Sequence, residues 1–259
     1  MCAGMRHVLV TALFGLAACG PTNKPVPDAG PDKSCGLDCT AQSRYGLIVN
    51  RCFEYSSDSS SPPMGQTPAA RGVQVLPVTT LEGGVEVLPV EYRELGQVRM
   101  RDSFAIKNGE LWLARREDTR TGRSVTYRDT AGKIVGVKWL GLDTGPGETF
   151  STDTQAFVVN QSGNGTTEAT NYRVTTADAT LTELRTPLKT YDGGVKVIVG
   201  EAPGHGFDPR RVYVPDVGFV VIASPFDLTG TTTPVPLSLQ KIRDMGAPDA
   251  GEACSNGGF

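Results

Sequence analysis

The chain has 259 residues, 25 of them basic and 28 acidic, and 39% hydrophobic. That balance leaves no basic excess to hold nucleic acid, and the length suits one domain, or two small ones, with a real core. The 31 glycines and 18 prolines spread turn signals along most of the chain.

Residues 8–18 form an uncharged apolar run of eleven residues. A bilayer-spanning helix needs about 20, so the run reads as the h-region of an export signal. Arg6 and His7 supply a short basic n-region, and the small residues Ala17 and Ala18 precede the break. The tetrapeptide Leu16-Ala17-Ala18-Cys19 resembles the lipobox of bacterial lipoproteins. The resemblance implies that diacylglycerol is attached to the Cys19 sulfur and that cleavage before Cys19 makes it the first mature residue. Met5 is an alternative start, and the alternative to the whole reading is a plain secretory signal ending beside a cysteine. Gly20 stands where an aspartate often marks inner-membrane retention in Gram-negative lipoproteins, which favours the outer membrane. Each buried lipid CH₂ contributes about 0.8 kcal/mol, so two or three chains hold firmly. The resemblance covers only the first twenty residues.

Residues 19–34 then read as lipidated cysteine and tether. Proline-rich chain extends at about 3.1 Å per residue, so this segment could hold a domain up to about 45 Å from a bilayer. Residues 246–259 have a similar composition, and the tetrapeptide PDAG occurs in both tails, as shared tether composition rather than a repeated fold. The expected organisation is signal 1–18, tether 19–34, β domain 35–245 and tail 246–259. Loss of Arg6 with the signal leaves 24 basic against 28 acidic residues.

Beyond Cys2 and Cys19, four cysteines remain: Cys35, Cys39, Cys52 and Cys254. An even number in an oxidising compartment predicts two disulfides, with three possible pairings. A four-thiolate zinc site is the alternative, although such sites usually place two residues, not three, between paired thiolates. One bridge is expected to tie Cys254 back to the N-terminal cluster.

The domain reads as all-β, an antiparallel, hairpin-rich sandwich or open half-barrel in a single domain, with about a dozen strands. In chain order, residues 45–55 form a strand candidate. The run 56–63, SSDSSSPP, is a loop or linker. VQVLPV from Val73 and VEVLPV from Val85 flank Glu82-Gly83-Gly84 as strand, turn, strand. In SFAIKNGELWLARR, Asn108-Gly109 marks a type I′ hairpin turn. Leu111 and Leu113 share one face of the following strand and Trp112 the other, so it reads as central. VTYRDTAGKIVGVKWL reads as a hairpin turning near Ala131-Gly132, and RVYVPDVGFVVIAS as one turning at residues 215–218. Residues 150–160, 171–176, 195–200 and 235–242 are further strands, and residues 219–222 suit a strand buried on both sides. The best helix candidate is 177–184.

Chemistry is sparsely signalled. His205 is the one histidine of the mature chain, which removes any two-histidine metal site. No nucleophile elbow, phosphate-binding loop, dinucleotide fingerprint or calcium loop is present. Asp143, Glu148 and Asp153 read as a solvated acidic loop rather than a cation site. A carboxylate pair for glycoside hydrolysis need not be close in sequence, so the 28 acidic residues carry no weight either way. His205 lies in GEAPGHGFDPRR, the most irregular stretch inside the domain, with Asp208, Arg210 and Arg211. Loops on a rigid β scaffold often carry function, and these four residues are the contact-loop candidates; the plainer reading is a surface histidine in a turn-rich loop. Arg115, Arg116, Arg120 and Arg123, interrupted by Glu117 and Asp118, read as a mixed-charge hairpin tip. The sequons at Asn160 and Asn164 read as chance. No cofactor is expected.

Three function classes stay open. The first is a lipid-anchored, non-catalytic binding or assembly module with an envelope or cell-surface partner. The second is a carrier of an apolar molecule, on a loose architectural similarity to the half-barrels of outer-membrane lipid carriers. The third is an envelope hydrolase.

Overall fold

A computed structural model describes residues 37–57, 71–141, 144–145, 147–178, 184–192, 194–200, 211–224, 235–244 and Cys254. All of them belong to one compact unit, Lys33–Phe259. The elements are α1 (Cys39–Arg44), β1 (Arg51–Ser57), β2 (Arg71–Val75), β3 (Thr79–Leu81), a 3₁₀ turn (Glu82–Gly84), β4 (Val85–Glu94), β5 (Gln97–Lys107), β6 (Glu110–Asp118), β7 (Arg123–Arg128), β8 (Val137–Leu140), β9 (Thr149–Val159), β10 (Gly165–Asp178), β11 (Leu184–Arg185), β12 (Thr190–Tyr191), β13 (Val195–Gly200), β14 (Arg211–Val214), β15 (Gly218–Ser224) and β16 (Val235–Asp244).

The fold is all-β and antiparallel, as the density of turn signals predicts. The main sheet runs β2-β1-β16-β15-β14-β13-β10-β9-β7-β6-β5-β4-β3, with β8 joined to β6 beside this path. β2, at one end of this order, bonds both β1 and β4, so the sheet curls back on itself. β11 and β12 form a separate small hairpin. Inside the curl lies one large apolar cluster, including Leu88, Val90, Phe104, Leu111, Leu113, Val125, Trp139, Phe219, Val220 and Leu239. A smaller cluster of Val87, Ala105, Ala114 and Ile134 packs separately, with Trp112 against it, so β6 is apolar on both faces as its sequence implies.

The two-residue hairpin turn at Asn108-Gly109 has φ of 52° and 76°, the two positive values that a type I′ turn requires. Residues 215–217 close the β14–β15 hairpin, with Asp216 at φ 61°. The Glu82–Gly84 turn joins β3 to β4. Of the VQVLPV repeat, however, only the first half is strand β2, and it pairs with the far half of β4.

Four expectations are corrected. Residues 45–50 are not strand, because Asp38 caps α1 by accepting from the Ala41 amide at 3.1 Å, and turns at Gly46 and Asn50, both at positive φ, delay the strand to Arg51. Ala177 and Asp178 are not helical. They extend β10 opposite Lys196 and Val195, and Leu184 begins β11; residues 179–183 lie outside the described residues. The Asp129–Lys133 turn exists, but β7 and β8 share a single bridge, Arg128 to Ile134. The amides of Val135 and Gly136 both donate to the Tyr127 carbonyl, and Gly136, at φ 72° against the Leu113 carbonyl, lets the chain cross so that β8 pairs with β6 instead. The fourth concerns Arg116, below. The SSDSSSPP run lies outside the described residues beyond Ser57.

α1 and the turn after it cover one end of the curled sheet. Tyr45 donates to the Gly109 carbonyl at 2.9 Å, with the Gly141 carbonyl 3.1 Å away. Tyr213 donates to the Arg44 carbonyl at 2.6 Å, and the Asp216 amide to the same oxygen at 2.8 Å. Burial holds the Tyr213 phenol well above its ordinary range. The antiparallel registers put the turns at Leu95-Gly96, 119–122 and 160–164 at the opposite end, together with the strand ends that flank residues 201–210.

Candidate functional site

Two cysteines meet as expected in kind. Cys52, on β1, is bridged to Cys254 across 202 positions, with their Cα atoms 5.6 Å apart. Cys254 packs against Gly72 of β2, where an added Cβ would lie 3.0 Å from its sulfur. Cys39, the first residue of α1, is also disulfide-bonded. Three of the four candidate thiolates are therefore engaged in disulfides and unsuited to zinc. Cys19, Cys35, His205, Asp208 and Arg210 lie outside the described residues. Arg211 opens β14, opposite Val197.

What the structure brings together is arginine and carboxylate, in two layers that the sequence does not announce. The inner layer is Arg116, 1% exposed, and Asp102, fully buried. Arg116 Nε and Nη2 donate to the two Asp102 oxygens at 2.5 and 2.8 Å, and Tyr92 donates to Oδ2 at 3.1 Å. The guanidinium also lies 5.7 Å from the centre of the Trp139 ring. Burial alone favours neutral arginine, but the charge and hydrogen bonds of Asp102 outweigh it and hold the Arg116 pKa above its ordinary value. Arg116 is thus no part of a hairpin tip. Leu111 and Leu113 face the core, and strict alternation would send Arg115 after them. A register shift against Ser103 and Phe104 changes the parity, so Arg116 and Asp118 turn inward and Arg115 and Glu117 outward.

The outer layer crosses four strands on the opposite face. Glu91, nearly buried, accepts from Arg93 at 2.5 Å and Arg101 at 2.6 Å. Arg101 also reaches Glu117 at 3.2 Å, which pairs Arg115 at 2.7 Å, and Arg115 donates to the Ser124 hydroxyl at 3.4 Å. Burial opposes the Arg101 charge, but Glu91 and Glu117 together hold its pKa above the ordinary value. Toward the end away from α1, Glu94 is shared by Arg71 at 2.8 Å and Arg99 at 3.4 Å. Each of these carboxylates is bridged by two guanidiniums, an arrangement that ties neighbouring strands together. Chemically the band is a set of charge-assisted hydrogen bonds between arginine and carboxylate.

Glu148 closes a turn by accepting from the Gly145 amide at 3.2 Å, and Asp153 lies in β9 opposite Asn171; Asp143 lies outside the described residues. Among the described residues, no group of three or more His, Cys, Asp or Glu side chains converges as a metal site. No described helix is long and apolar enough to cross a membrane.

The buried pair could have been found only by knowing the register shift, for which the sequence carries no mark. The outer band is visible in outline as the interleaved arginines and glutamates of EYRE, RMR and RRE. Comparison with protein-family models, with curated proteins and with solved structures finds no match to this chain.

Proposed function

We propose that this chain is a lipid-anchored protein of the bacterial cell envelope, outer-membrane in location, that serves as a non-catalytic binding or assembly module for an envelope or cell-surface partner. The observation that supports this reading most is how the interior is filled. Among the described residues, Trp139, Arg116, Tyr45, Tyr92, Tyr127 and Phe104 are the largest fully buried side chains, which supports a filled core over a space kept for an apolar cargo. Asp102, Glu91, Glu94 and Glu117 each pair with arginine, as structural carboxylates do. Disulfides at Cys39, Cys52 and Cys254 suit an oxidising compartment, which supports export, and the lipobox at Cys19 supports anchoring.

The contact candidates remain His205, Asp208 and Arg210, in the sequence between β13 and β14, and Arg211, which opens β14; the flanking strand ends lie away from α1. The test is a photo-crosslinking residue at position 205 of the full chain in cells, with the mass of the mature N-terminus read in parallel. Diacylglycerol on Cys19 is expected, together with an adduct of discrete mass that the Arg210→Ala, Arg211→Ala variant loses without unfolding. An unlipidated mature N-terminus overturns the anchor. A turnover reaction that falls about a hundredfold in folded His205→Ala overturns the non-catalytic reading in favour of a hydrolase.

A further inference from the structure

The β4–β5 and β5–β6 hairpins close with the same backbone turn. Leu95-Gly96 has φ of 50° and 77°, and Asn108-Gly109 has 52° and 76°. Asparagine suits the left-handed region because its short amide bonds locally, whereas a branched apolar side chain does not. The other described non-glycine residues at positive φ are Asn50, Asn108 and Asp216; Leu95 is the exception. Nor does Leu95 recover the strain by packing. It is 67% exposed, against 38% for Leu188, the other exposed large hydrophobic residue among those described. A bulky apolar side chain is therefore held out in solvent, at a cost, on a turn where asparagine would fit.

Its surroundings are basic. Arg93 donates to the carbonyl of Gly96 in the turn itself at 3.4 Å, and Arg71 and Arg99 flank Glu94. The neighbouring β6–β7 turn is joined to this one by the Thr119 amide, which donates to the Arg99 carbonyl at 3.1 Å. It adds Arg120, which pairs with the buried Asp118 at 3.3 Å, and Arg123. Five arginines thus lie at this end beside one exposed leucine, against three carboxylates that pair with them, Glu91, Glu94 and Asp118, so the tip keeps an excess of positive charge on a chain whose net charge is −3.

We infer that the Leu95 tip is a membrane-contact point, the leucine entering the acyl boundary and the surrounding arginines meeting the phosphates of anionic lipid. Arginine stems lie along apolar surface while their heads stay hydrated at phosphate level, and cationic side chains beside a leucine are what an anionic interface attracts. One leucine gives a weak contact. A chain tethered to the same bilayer needs no more, because tethering turns the second contact into an intramolecular one at high effective concentration. This tether step rests on lipidation of Cys19; the contact itself does not.

The experiment uses the mature chain carrying Cys19→Ser, which has no lipid, so that failure of the anchor reading leaves it untouched. Sedimentation is measured with vesicles of phosphatidylethanolamine and phosphatidylglycerol, and with vesicles of phosphatidylcholine alone. Salt-sensitive partition into the anionic vesicles is expected. Leu95→Asn should lower it about tenfold, the factor for losing one inserted apolar side chain, while raising the thermal midpoint by relieving the turn. That pairing of weaker binding with a more stable fold separates contact from structure. Wild-type protein that stays in solution, equal partition of Leu95→Asn, or equal binding to phosphatidylcholine each overturns the inference; the first two would return Leu95 to a protein pocket as its occupant.

Discussion

Arg116 and Asp102 sit face to face in the core because one register shift reversed the alternation of β6. Both charges have left water, so their mutual attraction must offset two desolvation penalties, and the net contribution of such a pair is small. Removing one partner is a different matter. Arg116→Met strands the buried Asp102 carboxylate with only the Tyr92 hydroxyl of these partners, and should lower the unfolding free energy by about 3–5 kcal/mol in urea titration. The double variant Arg116→Met, Asp102→Leu removes both charges and should recover most of that loss. A single and a double variant equally destabilised would mean that the pair contributes packing rather than charge compensation. The contrast with the outer band follows from exposure. Arg101 and Arg115 keep more than a third of their side-chain surface in water or close to it, where ion pairs are worth little, about 0–1 kcal/mol each.

At the scale of elements, α1 and its following turn hold their place through backbone contacts as much as side chains. Gly46 is the tightest point. Its φ is 66°, and an added Cβ would lie 2.1 Å from the Val217 carbonyl oxygen, a backbone atom fixed by the β14–β15 turn. Gly46→Ala should therefore cost on the order of 3 kcal/mol or more, from overpacking and left-handed strain together. Gly83→Ala is the control. Its φ is 75°, yet nothing lies within 4 Å of the added Cβ, so only the conformational cost of about 1–2 kcal/mol applies. Thermal denaturation of the two variants checks the difference, and equal losses would show that the Val217 contact carries no weight. Hairpins such as Asn108-Gly109 were legible because the turn chemistry is local: two adjacent residues state the backbone they need. α1 was less so, although Asp38 three residues before Ala41 is a capping signal that a search for long apolar periods passes over. The pairing of β8 with β6, and of β2 with both β1 and β4, depends on partners far apart in the chain, and no local residue names them. The candidate site divides the same way. The cysteine count implied bridges, and the bridge from Cys52 to Cys254 is there. Leu95 looked unremarkable in REL-Gly-Q until its backbone angle and exposure were known.

Across the whole molecule, the chain must hold together a sheet whose first and last strands are neighbours. β1 pairs with β16 over seven residues and with β2 over four, while β2 supplies the link to β4. Contacts this distant in sequence are entropically expensive to form, because a long loop must close before they return anything. The Cys52–Cys254 bridge removes that loop entropy from the unfolded chain, and it does so at the seam, since Cys254 lies against Gly72 in the middle of the β1–β2–β4 junction. In the chain-entropy model, a loop of this length is worth about 5 kcal/mol. The Cys52→Ala, Cys254→Ala variant should therefore lose about 2–5 kcal/mol in denaturant titration, the usual range for removal of a native disulfide. The loss should also have a place. β2 is only five residues long and depends on the seam, so its amides, together with the partners on β1, should be the first to lose hydrogen-exchange protection. The β4–β5–β6 hairpins, closed by local turns, should keep theirs until the chain unfolds as a whole. Exchange read by mass spectrometry on the intact variant makes the comparison. Uniform loss of protection across β2 and β5 would show that the bridge acts only on the unfolded chain, and that the seam needs no staple of its own.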